Sequence, residues 1–236
     1  MKWNKFEIGL LVTNIVITAY FFISGLDYSW IPWIGLVSSI SNVVCVIMCA
    51  KKSVTNYYWG TLGVIAYAIV SFAYANTGEW MLNAFYFLPL QFIGIAAWNK
   101  SIGQKTLEVS GEVVAKRMNT KQASIVYSLT AIATFVYAWI ISLEPVQLFL
   151  YGYATPRDFM SFVVAASSTM LSVVAMILMV KRYQEQWVLW IVVDVLSVII
   201  WIITFNPLMI VQWSAFLINA IYGYVKWIPI RAKMGE

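Results

Sequence analysis

The chain predicts an all-α membrane protein with eight transmembrane helices: an extra N-terminal helix, then a 3+1+3 core of two parallel three-helix repeats. Three observations carry that prediction: eight long apolar stretches, basic residues confined to alternate gaps between them, and an internal echo about 130 residues apart. The sequence is 62% hydrophobic and 11% charged, with a mean hydropathy of +0.80. A soluble domain carries about 25% charged residues, so this chain cannot cover itself with a water-facing surface.

A helix needs about 20 apolar residues to cross a bilayer. Segments of that kind fall at roughly 6–25, 31–50, 57–76, 80–98, 123–143, 158–180, 187–205 and 207–228. All but one of the fifteen Lys and Arg residues lie on one side of the resulting topology: Lys2, Lys5, Lys51, Lys52, Lys100, Lys105, Lys116, Arg117, Lys121, Lys181, Arg182, Lys226, Arg231 and Lys233. Only Arg157 lies on the other. Excess Lys and Arg mark the cytoplasmic face, so both termini are expected on the cytoplasmic side. The net charge of +5 therefore reports topology and anionic lipid rather than nucleic acid.

The first span, behind Lys2 and Lys5, imitates a signal peptide. A secretory core spans about 7–15 residues and ends at a small-residue cleavage site. This run is longer and leads into Gly25-Leu26-Asp27-Tyr28, so it reads as a retained helix. The second, sixth and eighth spans open with an N-cap residue and a nearby proline: Ser29 with Pro32, Thr155 with Pro156, Asn206 with Pro207. Each of these begins a helix running inward, which agrees with the charges. The fourth span holds Pro89, which removes one backbone hydrogen bond and predicts a kink, a candidate hinge. A cytoplasmic linker, roughly 99–122, separates it from the fifth span.

Several chemistries are excluded. The chain has no His, and Cys45 and Cys49, four apart on one helix, cannot meet disulfide geometry. No Cys/His cluster suggests a metal site, and no cofactor motif is present. Gly103-Gln104-Lys105-Thr106 departs from the P-loop spacing. No pair of catalytic side chains is visible, so an enzyme is not expected.

The echo runs as follows along the chain. Ser38-Ser39 through Val43-Val44 to Lys51-Lys52 resembles Ser167-Ser168 through Val173-Val174 to Lys181-Arg182. Trp59, four before Gly63, matches Trp190, four before Asp194; Gly94 and Trp98 match Gly223 and Trp227. The expected divisions are 1–26 for the extra helix, 27–98 for the first repeat, 99–143 for linker and connecting helix, and 144–236 for the second repeat. An odd number of helices per repeat inverts the second copy, and the connecting helix restores its direction. Parallel repeats of this sort build transporters, with the substrate near the midplane between the halves.

Polar residues gather at one depth. Asn42, Gln91, Asp194 and Asn219 each lie seven to nine residues from the inner end of a span, roughly 10–13 Å at 1.5 Å per residue. In a core about 30 Å thick that approaches the midplane. Asp194 is the only acidic or basic residue deep within a span, where an Asp costs about 2.5–3.5 kcal/mol. It must be protonated, hydrogen-bonded or paired with a cationic substrate. Helical spacing puts Gln91, Gly94 and Trp98 on one face, Trp187, Trp190 and Asp194 on another, and Asn219 with Tyr222 and Trp227 on a third. Trp59, Gly63 and Tyr67 form a further stripe. Such faces suit a planar aromatic ligand with a polar rim. The competing readings are an interfacial aromatic belt for Trp98, Trp187 and Trp227, and interhelical hydrogen bonds for Gln91 and Asn219.

Gln91-x-x-Gly94-x-x-x-Trp98, Trp187-x-x-Trp190-x-x-x-Asp194 and Asn219-x-x-Tyr222-Gly223-x-x-x-Trp227, in this order, resemble the nicotinamide riboside transporter (PnuC) family over nearly the whole chain. The resemblance implies the fold of full-length SWEET sugar transporters, reached by independent duplication. It implies uptake of nicotinamide riboside, an NAD precursor, across the bacterial inner membrane by facilitated diffusion. A separate cytosolic kinase would trap the nucleoside by phosphorylation. It also implies a homotrimer, with Gln91, Trp98, Trp187, Trp190 and Asn219 around the substrate and Tyr222 and Asn42 as additions. Cation–π attraction of about 0.5–2 kcal/mol suits the pyridinium ring to tryptophan faces. A carrier of thiamine, riboflavin or a deoxynucleoside stays open, as do proton coupling through Asp194 and a membrane receptor that does not transport.

Overall fold

The computed structural model describes residues 3–25, 29–103, 113–154, 158–203 and 207–228. Within them the chain is helical, and the only β pairing is an isolated bridge between Lys116 and Tyr183. The helices are α1 (Lys5–Ser24), α2 (Trp30–Ala50), α3 (Thr55–Ala73), α4 (Thr77–Leu82), α5 (Leu88–Gly103), α6 (Thr120–Ser142), α7 (Glu144–Tyr151), α8 (Phe159–Val180), α9 (Gln186–Ile203) and α10 (Pro207–Lys226).

The all-α expectation holds. Among the described residues, six segments are long and apolar enough to cross a membrane: Lys5–Ser24, Trp30–Ala50, Thr77–Gly103, Thr120–Ser142, Phe159–Val180 and Gln186–Ile203. The other two expected spans are present as the helices α3 and α10, whose polar and glycine residues dilute their apolar character. The cap pair Thr155 and Pro156, Asn206, Arg157, Lys2, Lys105, Arg231 and Lys233 lie outside the described residues. Asp158 caps α8, its side chain accepting from the Ser161 N–H, while Ser29 stands at the N-cap of α2 as expected. The short helix α7, begun by Pro145 and ended by Gly152 in the left-handed region at φ 75°, was not anticipated.

Where a kink was expected at Pro89, the helix departs from regular α geometry. Asn83–Phe87 is a single π turn between α4 and α5, and the Leu88 N–H reaches back five residues to the Asn83 carbonyl. Pro89 follows directly and has no N–H to donate. Widening the turn is how the chain accommodates that missing donor without breaking the helix.

The echo in sequence is an echo in structure. At the end of α2 the Ser53 N–H bonds Met48 O and the Lys52 N–H bonds Cys49 O; at the end of α8 the Tyr183 N–H bonds Leu178 O and the Arg182 N–H bonds Met179 O. Lys52 (φ 59°) and Arg182 (φ 66°) both adopt the left-handed conformation that closes such a helix end. Packing follows the same rule. α2 lies on α3 and α9 on α10, while α5 packs on α8 and α10 on α2, so the last helix of each half meets the first helix of the other. Residues 113–118 of the linker join the two turns, because Val113 N–H donates to Lys52 O and Lys116 N–H to Arg182 O.

α1 packs on α2 and α10. An Asn4/Glu7 capping box opens it, as Asn119 and Gln122 open α6. Glu7 is buried although it sits in an apolar span. Its carboxylate accepts from Lys51 Nζ at 2.6 Å and from Tyr222 OH at 2.9 Å, which compensates the lost water.

Candidate functional site

A cavity of about 200 Å³ lies between α2, α3 and α5 on one side and α8, α9 and α10 on the other. Each helix contributes a stripe at helical spacing: Asn42, Cys45, Val46 and Cys49 from α2; Asn83, Phe87 and Gln91 from the π turn into α5; Trp187, Trp190 and Asp194 from α9; Trp213, Phe216, Asn219 and Ala220 from α10. Gly60 and Val64 of α3 and Met176 and Met179 of α8 complete the wall. Gly60 is required by space. A Cβ there would sit 2.6 Å from Gln91 Oε1 and 3.1 Å from Cys45 Sγ, so glycine admits the Gln91 amide.

Polar chemistry in this wall is deliberately incomplete in hydrogen-bond terms. Gln91 Oε1, Asn219 Oδ1, Trp187 Nε1 and Trp213 Nε1 are buried and have no protein partner. Native interiors satisfy nearly all such groups, so two free acceptors and two free donors around one cavity point to a ligand that satisfies them. The Asn219 Nδ2 donates to the Val46 carbonyl at 3.0 Å, leaving Oδ1 as its unused end. Asn42 Nδ2 donates to Ser38 Oγ at 3.3 Å. Asp194 is 3% exposed and, among the described residues, is the only carboxylate in the wall, where no described Lys or Arg stands. Carboxylate and tryptophan faces together make the cavity attractive to a cation.

Of the residues expected from sequence, the fold brings together Asn42, Gln91, Trp187, Trp190, Asp194 and Asn219. It leaves three outside. Trp59 is 40% exposed on the outer face of α3. Its match to Trp190 is out by one residue, since the structural correspondence pairs Tyr57 with Trp187 and Gly60 with Trp190; one residue turns a helical side chain by about 100°. Tyr222 faces α1, donating to Glu7 and accepting from Asn4 Nδ2 at 2.8 Å, with the Phe6 ring 4.6 Å away.

Trp98 is fully buried beneath the cavity, and Trp227 mirrors it. Trp98 Nε1 donates to Met179 O at 3.1 Å, and Trp227 Nε1 donates to Cys49 O at 3.0 Å. With Tyr57 and Trp187 they form a run of ring contacts, at 5.0 Å, 5.9 Å and 5.9 Å between centroids. Burial removes all three tryptophans from an interfacial belt. The Gly-x-x-x-Trp motif is thereby explained. A Cβ on Gly94 would run into the Tyr57 ring and one on Gly223 would come within 2.6 Å of Trp187, so each glycine admits the ring on which the cluster is built.

Sequence reading missed Trp213, Phe216, Asn83 and Phe87. Their signal was available: Trp213, Phe216 and Asn219 recur at three-residue steps, and Asn83, Phe87 and Gln91 at four-residue steps. Pro89 does not line the cavity; it acts on the backbone between Phe87 and Gln91.

A cavity enclosed by long apolar helices, with unsatisfied polar atoms around it, is the arrangement of a small-molecule transporter. The chain belongs to the nicotinamide mononucleotide transporter family, whose model matches residues 32–229. It is 31% identical to the nicotinamide riboside transporter PnuC of Neisseria mucosa, covering 95% of this chain and 81% of that one. The PnuC of Haemophilus influenzae is 28% identical, with 95% and 90% covered. A crystal structure of the vitamin B3 transporter PnuC superposes with a TM-score of 0.73 at 29% identity, covering 96% of this chain and 92% of that one.

Proposed function

We propose that the chain carries nicotinamide riboside across the bacterial inner membrane by facilitated diffusion, through the cavity between its halves. The observation that carries this reading is the set of four unpartnered polar atoms around the cavity, beside Asp194 and three tryptophans. A carboxamide and a ribose present both donors and acceptors to such a set, and the pyridinium supplies the cation. The relatives named above transport this nucleoside by name, which supports the same choice.

The lack of Lys and Arg among the described residues of the cavity wall favours the riboside over its mononucleotide. A phosphate would enter beside Asp194 with no cation to compensate its desolvation, a cost of several kcal/mol. The extra helix lies within residues 1–26, the two halves within 27–98 and 144–236, and the linker and connecting helix within 99–143; α3 and α10 complete eight spans, with both termini inside. The protein works as a homotrimer, and a cytosolic kinase traps the product. Pro89 and the π turn before it are the hinge.

Titration calorimetry of purified protein against nicotinamide riboside, thiamine, riboflavin and a deoxynucleoside tests the substrate. Binding of the riboside alone, abolished in Trp190→Ala, supports the assignment. Preference for thiamine would keep the carrier and replace its cargo. A second reading, favoured by the buried Asp194, is proton coupling; accumulation in proteoliposomes that collapses with an uncoupler would establish it over uniport. Binding without counterflow would identify a receptor instead.

A further inference from the structure

We propose that Trp98 and Trp227 are the inner gate of the transport path: each indole N–H holds the end of the opposite half's first helix and closes the cavity floor. This rests on the carrier reading above. The two acceptors, Met179 and Cys49, belong to residues that line the cavity, so the bonds lie directly beneath the space that would hold the cargo. Both bonds run between halves, one in each direction. Separating the inner ends of the halves must break both, and no separation of the outer ends touches either.

The surroundings behave as a closed gate rather than a permanent core. Asn56 and Gln186 occupy corresponding places in the two halves, both fully buried. Asn56 Oδ1, Gln186 Nε2 and Tyr57 OH have no partner in this closed arrangement. A floor that never opened would keep that desolvation cost without return. In an opened floor, water reaches these atoms and the two released indoles, which offsets the hydrogen bonds lost.

The test replaces each indole by a ring without an N–H, in Trp98→Phe and Trp227→Phe, on a Cys45→Ala background. Cys49, 3% exposed in the cavity wall, then reports the opening. Inside-out vesicles are treated with a membrane-impermeant maleimide, and affinity for nicotinamide riboside is measured in parallel. Loss of one net hydrogen bond shifts the population by about fivefold, so each variant should label Cys49 about fivefold faster with its Kd nearly unchanged. Labelling unchanged with a Kd weakened about tenfold or more would make the indole a substrate ligand and overturn the proposal. No change in either would make it a fixed packing element, with the same consequence.

Should a variant fail to fold, hydrogen exchange on the unsubstituted protein decides. A gate requires the turns after α2 and α8 to open in one event, so their protected amides exchange at a common rate. Exchange at unrelated rates would overturn it. Failure of nicotinamide riboside to bind at all would sink the carrier's substrate while leaving labelling in ligand-free vesicles as an independent result.

Discussion

The Asn219 side chain is held by the Val46 carbonyl across the two halves, Nδ2 to O at 3.0 Å, and this bond decides which end of its amide is left for a ligand. The amide cannot turn over without giving up that donor. Its Oδ1 is therefore a fixed acceptor, and in the proposed function it is the end offered to a donor on the cargo.

Asn219→Asp keeps the shape and replaces the donor with an oxygen facing the Val46 carbonyl. Removing a buried partner costs about 1–3 kcal/mol, so nicotinamide riboside affinity should fall by roughly five- to 150-fold. Gln91→Leu, which deletes the other unpaired acceptor, should lose a similar factor. Calorimetry checks both; unchanged affinity in either would remove that amide from the site.

Asp194→Asn should separate charge from shape. A carboxylate in this wall attracts the pyridinium and does nothing for the uncharged, reduced dihydronicotinamide riboside. The variant should therefore lose about tenfold or more against the cationic nucleoside and little against the reduced one. Equal losses for both would mean that Asp194 acts through structure. If uptake in the variant also loses sensitivity to an uncoupler that the parent protein shows, the proton-coupled reading stands.

Gly94→Ala and Gly223→Ala test the inner cluster. The added methyls meet the Tyr57 and Trp187 rings, which are held in place by neighbouring aromatics. Overpacking of this kind costs about 1–3 kcal/mol. Thermal unfolding in detergent should show both variants less stable than the parent protein, and an unshifted midpoint would contradict the close approach described.

Glu7→Gln should loosen α1. Glu7 accepts from Lys51, Tyr222 and the Asn4 N–H, so its charge joins the first helix to both halves. Hydrogen bonds to a charged group contribute about 1.5–3 kcal/mol, most of it lost when the carboxylate becomes an amide beside a buried ammonium. The expected outcome is a lower unfolding midpoint, with ligand affinity retained because Glu7 is outside the cavity.

Much of this molecule was legible in one dimension. The all-α membrane class and the approximate limits of the long helices follow from apolar length and spacing, because a bilayer forces the backbone of each span to satisfy itself locally. The polar residues at one depth were legible for the same reason: rise per residue converts position into height. Asn42, Gln91, Asp194 and Asn219 were picked out by height, Trp187 and Trp190 by sharing a helix face with Asp194, and all six line the cavity.

Rotation about each helix was less secure. A shift of one residue moved Trp59 to the exterior, where repeat alignment alone had matched it with Trp190. Trp98 and Tyr222 show the other limit. Both have the residue type and helix face of a ligand contact, but one is bonded to Met179 and the other to Glu7, partners about 80 and over 200 residues away in sequence. Sequence by itself determined which side chains stand at the depth of a site. Only the tertiary structure decided which of their polar atoms are already spent on another helix, because hydrogen bonds between distant segments follow from helix packing and leave no periodic trace in the chain.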